Sequence, residues 1–153
     1  MATPNTQVTL RPATLDDKEF LWRLHRETMR QYVDQTWGWE DSWQRQRFEE
    51  NFNPTSIQII ECERQPVGLM RLERRDDEIF LSLIEIAPEF QNRGIGSQLI
   101  RELFRECDST RRPMRLFVLK VNPARRLYER LGFVYVEETA THYIMNRPPA
   151  AID

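Results

Sequence analysis

Residues 84–97 read Ile84-Glu85-Ile86-Ala87-Pro88-Glu89-Phe90-Gln91-Asn92-Arg93-Gly94-Ile95-Gly96-Ser97, and they join a predicted strand to a predicted helix. Apolar side chains occupy nearly every position from Ile79 to Ile84, which predicts a central strand covered on both faces. After Gly94, apolar residues recur at steps of three and four to about Cys107, which predicts a helix. Glycines let the main chain approach a ligand, and the free N–H groups of a helix start attract an anion. The segment therefore indicates a pyrophosphate-binding turn.

Two other nucleotide-binding motifs do not fit this turn. A dinucleotide-binding fingerprint needs a third glycine where this chain has Leu99, and a nucleoside-triphosphate loop needs Gly-Lys followed by Ser or Thr. Taken alone, Gly94 and Gly96 would equally serve a tight turn or close helix packing. A second motif is needed to decide.

The rest of the chain predicts the other elements of an α/β fold without a repeat or a linker. Thr14 and Asp17 form a capping-box pattern before a helix near residues 15–33. Asn122 and Pro123 predict the start of a later helix, which Gly132 ends. The remaining predicted elements are a strand at 8–11, a second helix ending before Pro54, a hairpin at 57–61 and 66–73, and strands at 114–119, 133–137 and 143–145.

Length and composition exclude several classes of protein. The chain has 153 residues, enough for one domain, and its 22 basic and 24 acidic residues give a net charge of −2. Such a charge provides no field for holding nucleic acid, and no apolar run approaches the roughly 20 residues of a membrane span. Residues 1–7 show no secretory signal, so we expect a cytoplasmic protein. Cys62 and Cys107 indicate neither disulfides nor a metal site, and no metal is predicted.

The second motif is Asn122-Pro123-Ala124-Arg125-Arg126-Leu127-Tyr128-Glu129-Arg130-Leu131-Gly132-Phe133. Together with Gln91 to Gly96, it resembles the GNAT superfamily of N-acetyltransferases over essentially the whole chain. The resemblance implies a mixed, twisted central sheet of about seven strands flanked by four helices, in which the fourth and fifth strands splay apart. We expect this domain to cover residues 7–147, followed by a loose tail at 148–153.

The resemblance also implies a cofactor, acetyl-coenzyme A, with coenzyme A as the product. Main-chain amides of Arg93 to Ser97 would hold its pyrophosphate, and the strand edge at Glu85 to Ala87 would pair with pantetheine. The implied cofactor-binding residues are Glu85, Ile86, Ala87, Gln91, Asn92, Arg93, Gly94, Ile95, Gly96, Ser97, Asn122 and Tyr128.

The catalytic residues are predicted to be Tyr128 and Glu85. Tyr128 matches the family tyrosine that protonates the leaving thiolate, and the alternative is a core tyrosine bonded to the main chain. Glu85 shares a strand face with apolar residues and is our choice for the base. The alternatives are that Glu85 is an exposed strand-end carboxylate or an ion-pair partner, and that the amine is deprotonated through water, as the resemblance also allows. By the same resemblance, the Ile86 amide would stabilise the oxyanion. A base is needed because deprotonating an amine of pKa about 10.4 at pH 7 costs about 4.6 kcal/mol.

Aromatic residues between the first two helices are the predicted acceptor side. Tyr32, Trp37 and Trp39 lie there among acidic residues, a combination that attracts a cationic amine. The alternative is that the tryptophans only pack a helix pair onto the sheet. His25 and His142 are interpreted as residues of a helix face and a strand surface, outside the mechanism.

These features together predict an acetyltransferase that moves the acetyl group directly to a primary amine of a small molecule. A protein N-terminus or lysine is the rival acceptor. A sensor that binds acetyl-coenzyme A without turnover is the rival function, and a homodimer is left open.

Overall fold

Residues 7–151 are described by the structure, a computed structural model, and they form seven strands and four α-helices. The strands are β1 (Val8–Pro12), β2 (Gln58–Cys62), β3 (Gln65–Arg74), β4 (Ile79–Ile86), β5 (Met114–Leu119), β6 (Val134–Glu138) and β7 (His142–Arg147). The helices are α1 (Lys18–Trp37), α2 (Asp41–Glu50), α3 (Ile95–Thr110) and α4 (Ala124–Leu131). This order confirms the predicted α/β succession.

The strands form one mixed sheet in the order β1-β2-β3-β4-β5-β7-β6. The β1–β2, β2–β3, β5–β7 and β6–β7 pairs are antiparallel, whereas β4 and β5 run parallel. The parallel ladder joins Ile79–Leu81 to Met114–Leu116, and β4 continues to Ile86. A mixed seven-stranded sheet with four helices is the fold that the resemblance implies.

The first of two compact units comprises residues 7–71 and 83–93. Its core packs the buried face of α1 against β2, β3 and the end of β4, through Ala13, Leu21, Leu24, Ile57, Ile59, Leu69 and Ala87. The predicted capping box is present, because the Thr14 N–H donates to Asp17 Oδ2 at 2.8 Å and the Thr14 hydroxyl accepts from the Asp16 N–H at 3.3 Å. The Arg11 guanidinium donates to both Asp17 oxygens at 2.9 Å, so the start of α1 is tied to β1.

The second unit comprises residues 72–82 and 94–151. Its helix α3 buries the stripe that the spacing predicts, namely Ile95, Leu99, Ile100, Leu103, Phe104 and Cys107. The expectation that β4 is covered on both faces holds on one face only. Ile79 and Leu81 are buried, but Phe80 on the other face is only half-buried, against the exposed ring of Phe117 and the Arg75 guanidinium.

Both chain ends extend beyond the described residues. Residues 148–151 of the predicted tail form no helix or strand, and the Ala150 N–H donates to Asp108 Oδ1 at 2.8 Å. Residues 152–153 of that tail and most of the N-terminal stretch without a predicted signal lie outside the described part. Across residues 7–151 no helix is long and apolar enough to cross a membrane.

Candidate active site

A buried carboxylate lies near the end of β4. Glu85 is 3% exposed, and its Oε2 lies 3.0 Å from Nδ1 of His25 on α1. Its other oxygen, Oε1, is buried and has no hydrogen-bond partner within the described chain. Glu85 thus forms an ion pair, which is one of the alternatives that the sequence raised. The other member of the pair, His25, was not assigned a role from the sequence.

The protonation of this pair follows from its chemistry. An ionised carboxylate can only accept hydrogen bonds, so the Nδ1 of His25 carries the proton that Glu85 accepts. Burial is the largest influence on the His25 pKa and lowers it, but the hydrogen bond and charge of Glu85 together outweigh burial and the nearby Arg71, so the pKa is raised above 6.5. The Glu85 carboxylate therefore makes His25 a stronger base than a free imidazole.

Aromatic rings adjoin the His25–Glu85 pair. The Trp39 ring lies 6.0 Å from the His25 ring, between centroids, and stacks on Trp22 at 6.0 Å with an interplanar angle of 23°. Two carboxylates on either side of the turn hold Trp39, since its main-chain N–H donates to Asp34 and its indole N–H donates to Asp41. The Trp39 ring thus packs on α1 through Trp22 and also lies beside the His25–Glu85 pair.

The other two predicted acceptor residues lie further along α1. Tyr32 is half-buried, two turns beyond His25 on the same helix face, and Trp37 is 61% exposed at the last residue of the helix. Trp39 is therefore the predicted acceptor residue that the structure brings next to His25, the partner of Glu85.

At the end of β4, the main-chain N–H and C=O groups of successive residues point to opposite edges of the strand. The Ala87 N–H donates to the Val67 carbonyl at 2.8 Å, and a Cβ on Gly68 would lie 2.3 Å from the Glu85 carbonyl oxygen. Glu85 and Ala87 thus turn their main-chain groups toward β3, and Ile86 turns its own away. Of the three predicted pantetheine-pairing residues, Ile86 has the orientation to meet a ligand.

The loop after β4 is held by its own side chains. The Gln91 side-chain amide donates to the Ile86 carbonyl oxygen at 2.9 Å, which ties the loop to the strand end. Asn92 and Gly94 have left-handed φ values of 63° and 81°, a conformation that these two residue types tolerate best. The Arg93 guanidinium lies 5.0 Å from the centroid of the Phe90 ring.

The start of α3 leaves main-chain donors and open space. The first helical hydrogen bond runs from the Gln98 N–H to the Gly94 carbonyl, so the N–H groups of Ile95, Gly96 and Ser97 have no acceptor inside the helix. A Cβ added to Gly94 or Gly96 would meet nothing within 4 Å. Protein packing therefore does not require glycine at 96, and the free amides with open space beside them fit a diphosphate.

Tyr128 belongs to the second unit and is buried on α4. Its ring packs edge-on against Phe133 at 5.8 Å, and no hydrogen bond of its hydroxyl occurs within residues 7–151. Burial raises the pKa of Tyr128 to about 12. The alternative of a core tyrosine bonded to the main chain is therefore not observed.

The second motif shapes both ends of α4. The Asn122 side-chain oxygen accepts from the Ala124 N–H at 2.9 Å, so this predicted cofactor-binding residue also caps the helix. At the other end, Gly132 has φ 109°, and the Phe133 N–H donates to the Tyr128 carbonyl at 3.0 Å. This hydrogen bond, a Schellman-type closure, anchors the main chain of Tyr128.

Sequence reasoning missed His25, although a signal was available. His25 lies four residues after Leu21 and three before Thr28, on the apolar face assigned to the first helix. A titratable side chain on a buried face needs a polar partner. The sequence does not identify that partner, because Glu85 lies 60 positions away.

Comparisons with known proteins agree with this architecture. The model of the acetyltransferase (GNAT) family matches residues 19–133, and no curated protein matches the chain. PaiA N-acetyltransferase from Thermoplasma acidophilum, solved in complex with coenzyme A, is 17% identical with a TM-score of 0.70 over 93% of this chain and 99% of its own.

Two further solved structures are similar. An acetyltransferase from Thermus thermophilus is 23% identical, with a TM-score of 0.69 over 93% of this chain and 97% of its own. The ribosomal-protein-S18-alanine N-acetyltransferase from Escherichia coli is 19% identical, with a TM-score of 0.66 over 96% and 97%. At these identities the similarity shows a shared fold.

Proposed function

Because the chain belongs to the acetyltransferase (GNAT) family, we propose that it transfers the acetyl group of acetyl-coenzyme A directly to a primary amine of a small molecule. Family membership confirms the resemblance seen in the sequence and, with it, acetyl-coenzyme A as the cofactor. The acceptor, the catalytic residues and direct transfer in a ternary complex are the parts that we propose.

The observation that carries this proposal is the ionisable pair of Glu85 and His25 beside Trp39. Acetyl transfer to an amine requires an uncharged nitrogen, and the pair provides a proton acceptor within a largely apolar surround. The negative charge of Glu85 and the face of Trp39 both attract a cationic amine before it loses its proton. The contact surface formed by the Trp39 ring near the buried Glu85 carboxylate is small, which suits a compact amine.

The cofactor side uses the turn and the strand end. The N–H groups of residues 93–97, including Ile95, Gly96 and Ser97, hold the pyrophosphate, and Gln91 keeps the turn fixed to Ile86. When bound, acetyl-coenzyme A supplies a thioester whose acetyl carbon the amine attacks. The Ile86 N–H, directed away from β3, donates to the thioester oxygen as that oxygen gains charge.

The Tyr128 hydroxyl serves the leaving sulfur. With a pKa of about 12, Tyr128 keeps its proton at neutral pH and is available as a donor. Complete transfer to a thiolate of pKa about 8.5 would cost about 5 kcal/mol, so Tyr128 acts first by donating a hydrogen bond to the developing charge. The proton transfers fully only as the thiol leaves.

Release of free thiol from acetyl-coenzyme A in the presence of amines tests the function. The panel contains small primary amines and peptides with either a free N-terminus or a lysine, and Tyr128→Phe is assayed in parallel. We expect turnover with small amines and a large loss in the variant. Turnover with peptides alone would favour the protein-acceptor alternative, which the similarity to the S18-alanine enzyme raises. Calorimetric binding of coenzyme A without amine-dependent release would favour a sensor.

A further inference from the structure

We infer that His25 is the catalytic residue that takes the proton from the acceptor amine. Glu85 is a positioning residue that fixes the orientation of the imidazole ring and increases its basicity. The inference rests on the proposed acetyl transfer and assigns the base within that same site. It replaces Glu85, the base expected from the sequence, with a side chain that the sequence analysis had left outside the mechanism.

Accessibility separates the two members of the pair. The Glu85 side chain is 1% exposed, whereas the His25 side chain is 28% exposed. The Oε2 atom of Glu85 faces His25, and its Oε1 is buried from solvent. A substrate nitrogen that approaches through solvent therefore meets the imidazole and not the carboxylate.

The hydrogen bond between them fixes which ring nitrogen is available. Because Nδ1 of His25 donates to Glu85, the lone pair of the neutral ring lies on Nε2. Within residues 7–151, His25 makes no hydrogen bond other than the one to Glu85. Nε2 is thus a free acceptor on a ring whose orientation is set by a buried carboxylate.

The charges around the ring support this role. Glu85 on β4 raises the pKa of His25, Arg71 on β3 lowers it, and the uncharged Trp39 ring lies beside it. Among the described residues, no donor forms a hydrogen bond with Glu85 Oε1. The hydrogen bond from His25 is therefore the one that the carboxylate accepts in this part of the chain. A carboxylate behind an imidazole increases its basicity and fixes its tautomer.

The proton balance of the step is simple. The cationic amine first gives one proton to Nε2 of His25. The uncharged nitrogen then forms a bond to the acetyl carbon, the bond from that carbon to sulfur breaks, and the second proton leaves the nitrogen for solvent. The sulfur leaves as a thiolate and takes a proton from the Tyr128 hydroxyl, which solvent later restores. The resulting imidazolium is stabilised by the Glu85 carboxylate at 3.0 Å until it loses its proton to water.

The pH dependence of kcat/KM distinguishes His25 from Glu85 as the base. The variants are His25→Gln and Glu85→Gln, and His142→Gln on β7 is the matched histidine control. We expect the wild-type rate to level off above the pKa of His25. In His25→Gln, kcat/KM should fall about 100-fold or more, and the rate should rise with pH without levelling off until the amine itself loses its proton.

Glu85→Gln gives the decisive contrast. The amide can still accept from Nδ1 but carries no charge, so the break in the profile should persist and move to lower pH. Loss of the break in Glu85→Gln together with its retention in His25→Gln would overturn the inference and make Glu85 the base. An unchanged profile in His25→Gln would also overturn it, provided that His142→Gln behaves like the wild type.

A second measurement does not depend on activity or on the folding of a variant. Titration of the imidazole nitrogens of the wild-type protein by NMR should show His25 protonated at Nδ1 at high pH, with a midpoint above 6.5. Protonation at Nε2 instead would overturn the inference. Absence of amine-dependent turnover by the wild type would overturn the proposed function and the catalytic role with it, whereas wild-type turnover with an unaffected His25→Gln overturns the inference alone.

Discussion

Gly96→Ala is predicted to change stability and cofactor binding in opposite directions. Gly96 lies in the first turn of α3, and a Cβ there would meet no atom within 4 Å. Alanine has the higher helix propensity and a less flexible unfolded chain, so we expect the free energy of unfolding to rise by up to about 1 kcal/mol.

The same methyl group would occupy the space that we assign to the diphosphate. A hydrogen bond to a charged group contributes about 1.5–3 kcal/mol. Loss of one such bond weakens binding about 10-fold to 150-fold. Binding of coenzyme A by calorimetry and unfolding by urea measure the two effects on the same preparation.

Gln98→Ala is the matched control for this experiment. Gln98 is exposed in the same helix, so its replacement changes helix propensity without filling the space beside the free amides. We expect this variant to bind coenzyme A like the wild type. Wild-type affinity in a folded Gly96→Ala protein would refute the assignment of the diphosphate to this turn.

Three further predictions follow from close packing, burial and charge. Gly68→Ala should lower the free energy of unfolding by about 1–3 kcal/mol, because the new Cβ would lie 2.3 Å from the Glu85 carbonyl oxygen; an unchanged urea midpoint would contradict this packing. Tyr128→Phe should reduce kcat about 100-fold with little change in thermal stability, since the lost hydroxyl makes no hydrogen bond in the described chain; a kcat equal to the wild type would remove Tyr128 from the mechanism. Because the pKa of His25 is raised on folding, protonated His25 should stabilise the fold fully below pH 6.5, and this contribution should be lost as pH rises through the folded-state pKa. In urea unfolding, the wild type should therefore exceed His25→Gln in free energy of unfolding by more at pH 6 than at pH 9.

Local sequence patterns were sufficient for most of the fold. The capping box at Thr14 and Asp17 was visible because its partners are three residues apart, and it is formed as expected. Gly132 was identified because a helix end favours a left-handed residue, and its φ is 109°. The coverage of β4 was overestimated, because an apolar letter such as Phe80 does not show whether another side chain covers it.

The site was predicted less completely. The turn after β4 and the position of Tyr128 follow from two contiguous motifs, each of which brings its own residues together. The role of Gln91 in holding the main chain was not visible, because a side-chain amide has many partners within reach of its flexible stem, whereas the Asn122 cap was expected from the sequence and is formed. Trp39 was named with Trp37, but only the fold shows that Trp39 lies beside Glu85's partner.

The sequence by itself determined the order of strands and helices, the family and the loop with free amides at the start of α3, because each depends on residues close together in the chain. Only the tertiary structure decided that Glu85 is buried and that it contacts His25, 60 positions away. The packing of α1 against the sheet sets that distance, and no local pattern of either residue encodes it. A buried charge changes the basicity of the residue next to it. The chemistry of this site could therefore be inferred only after the fold showed that His25 is the neighbour of Glu85.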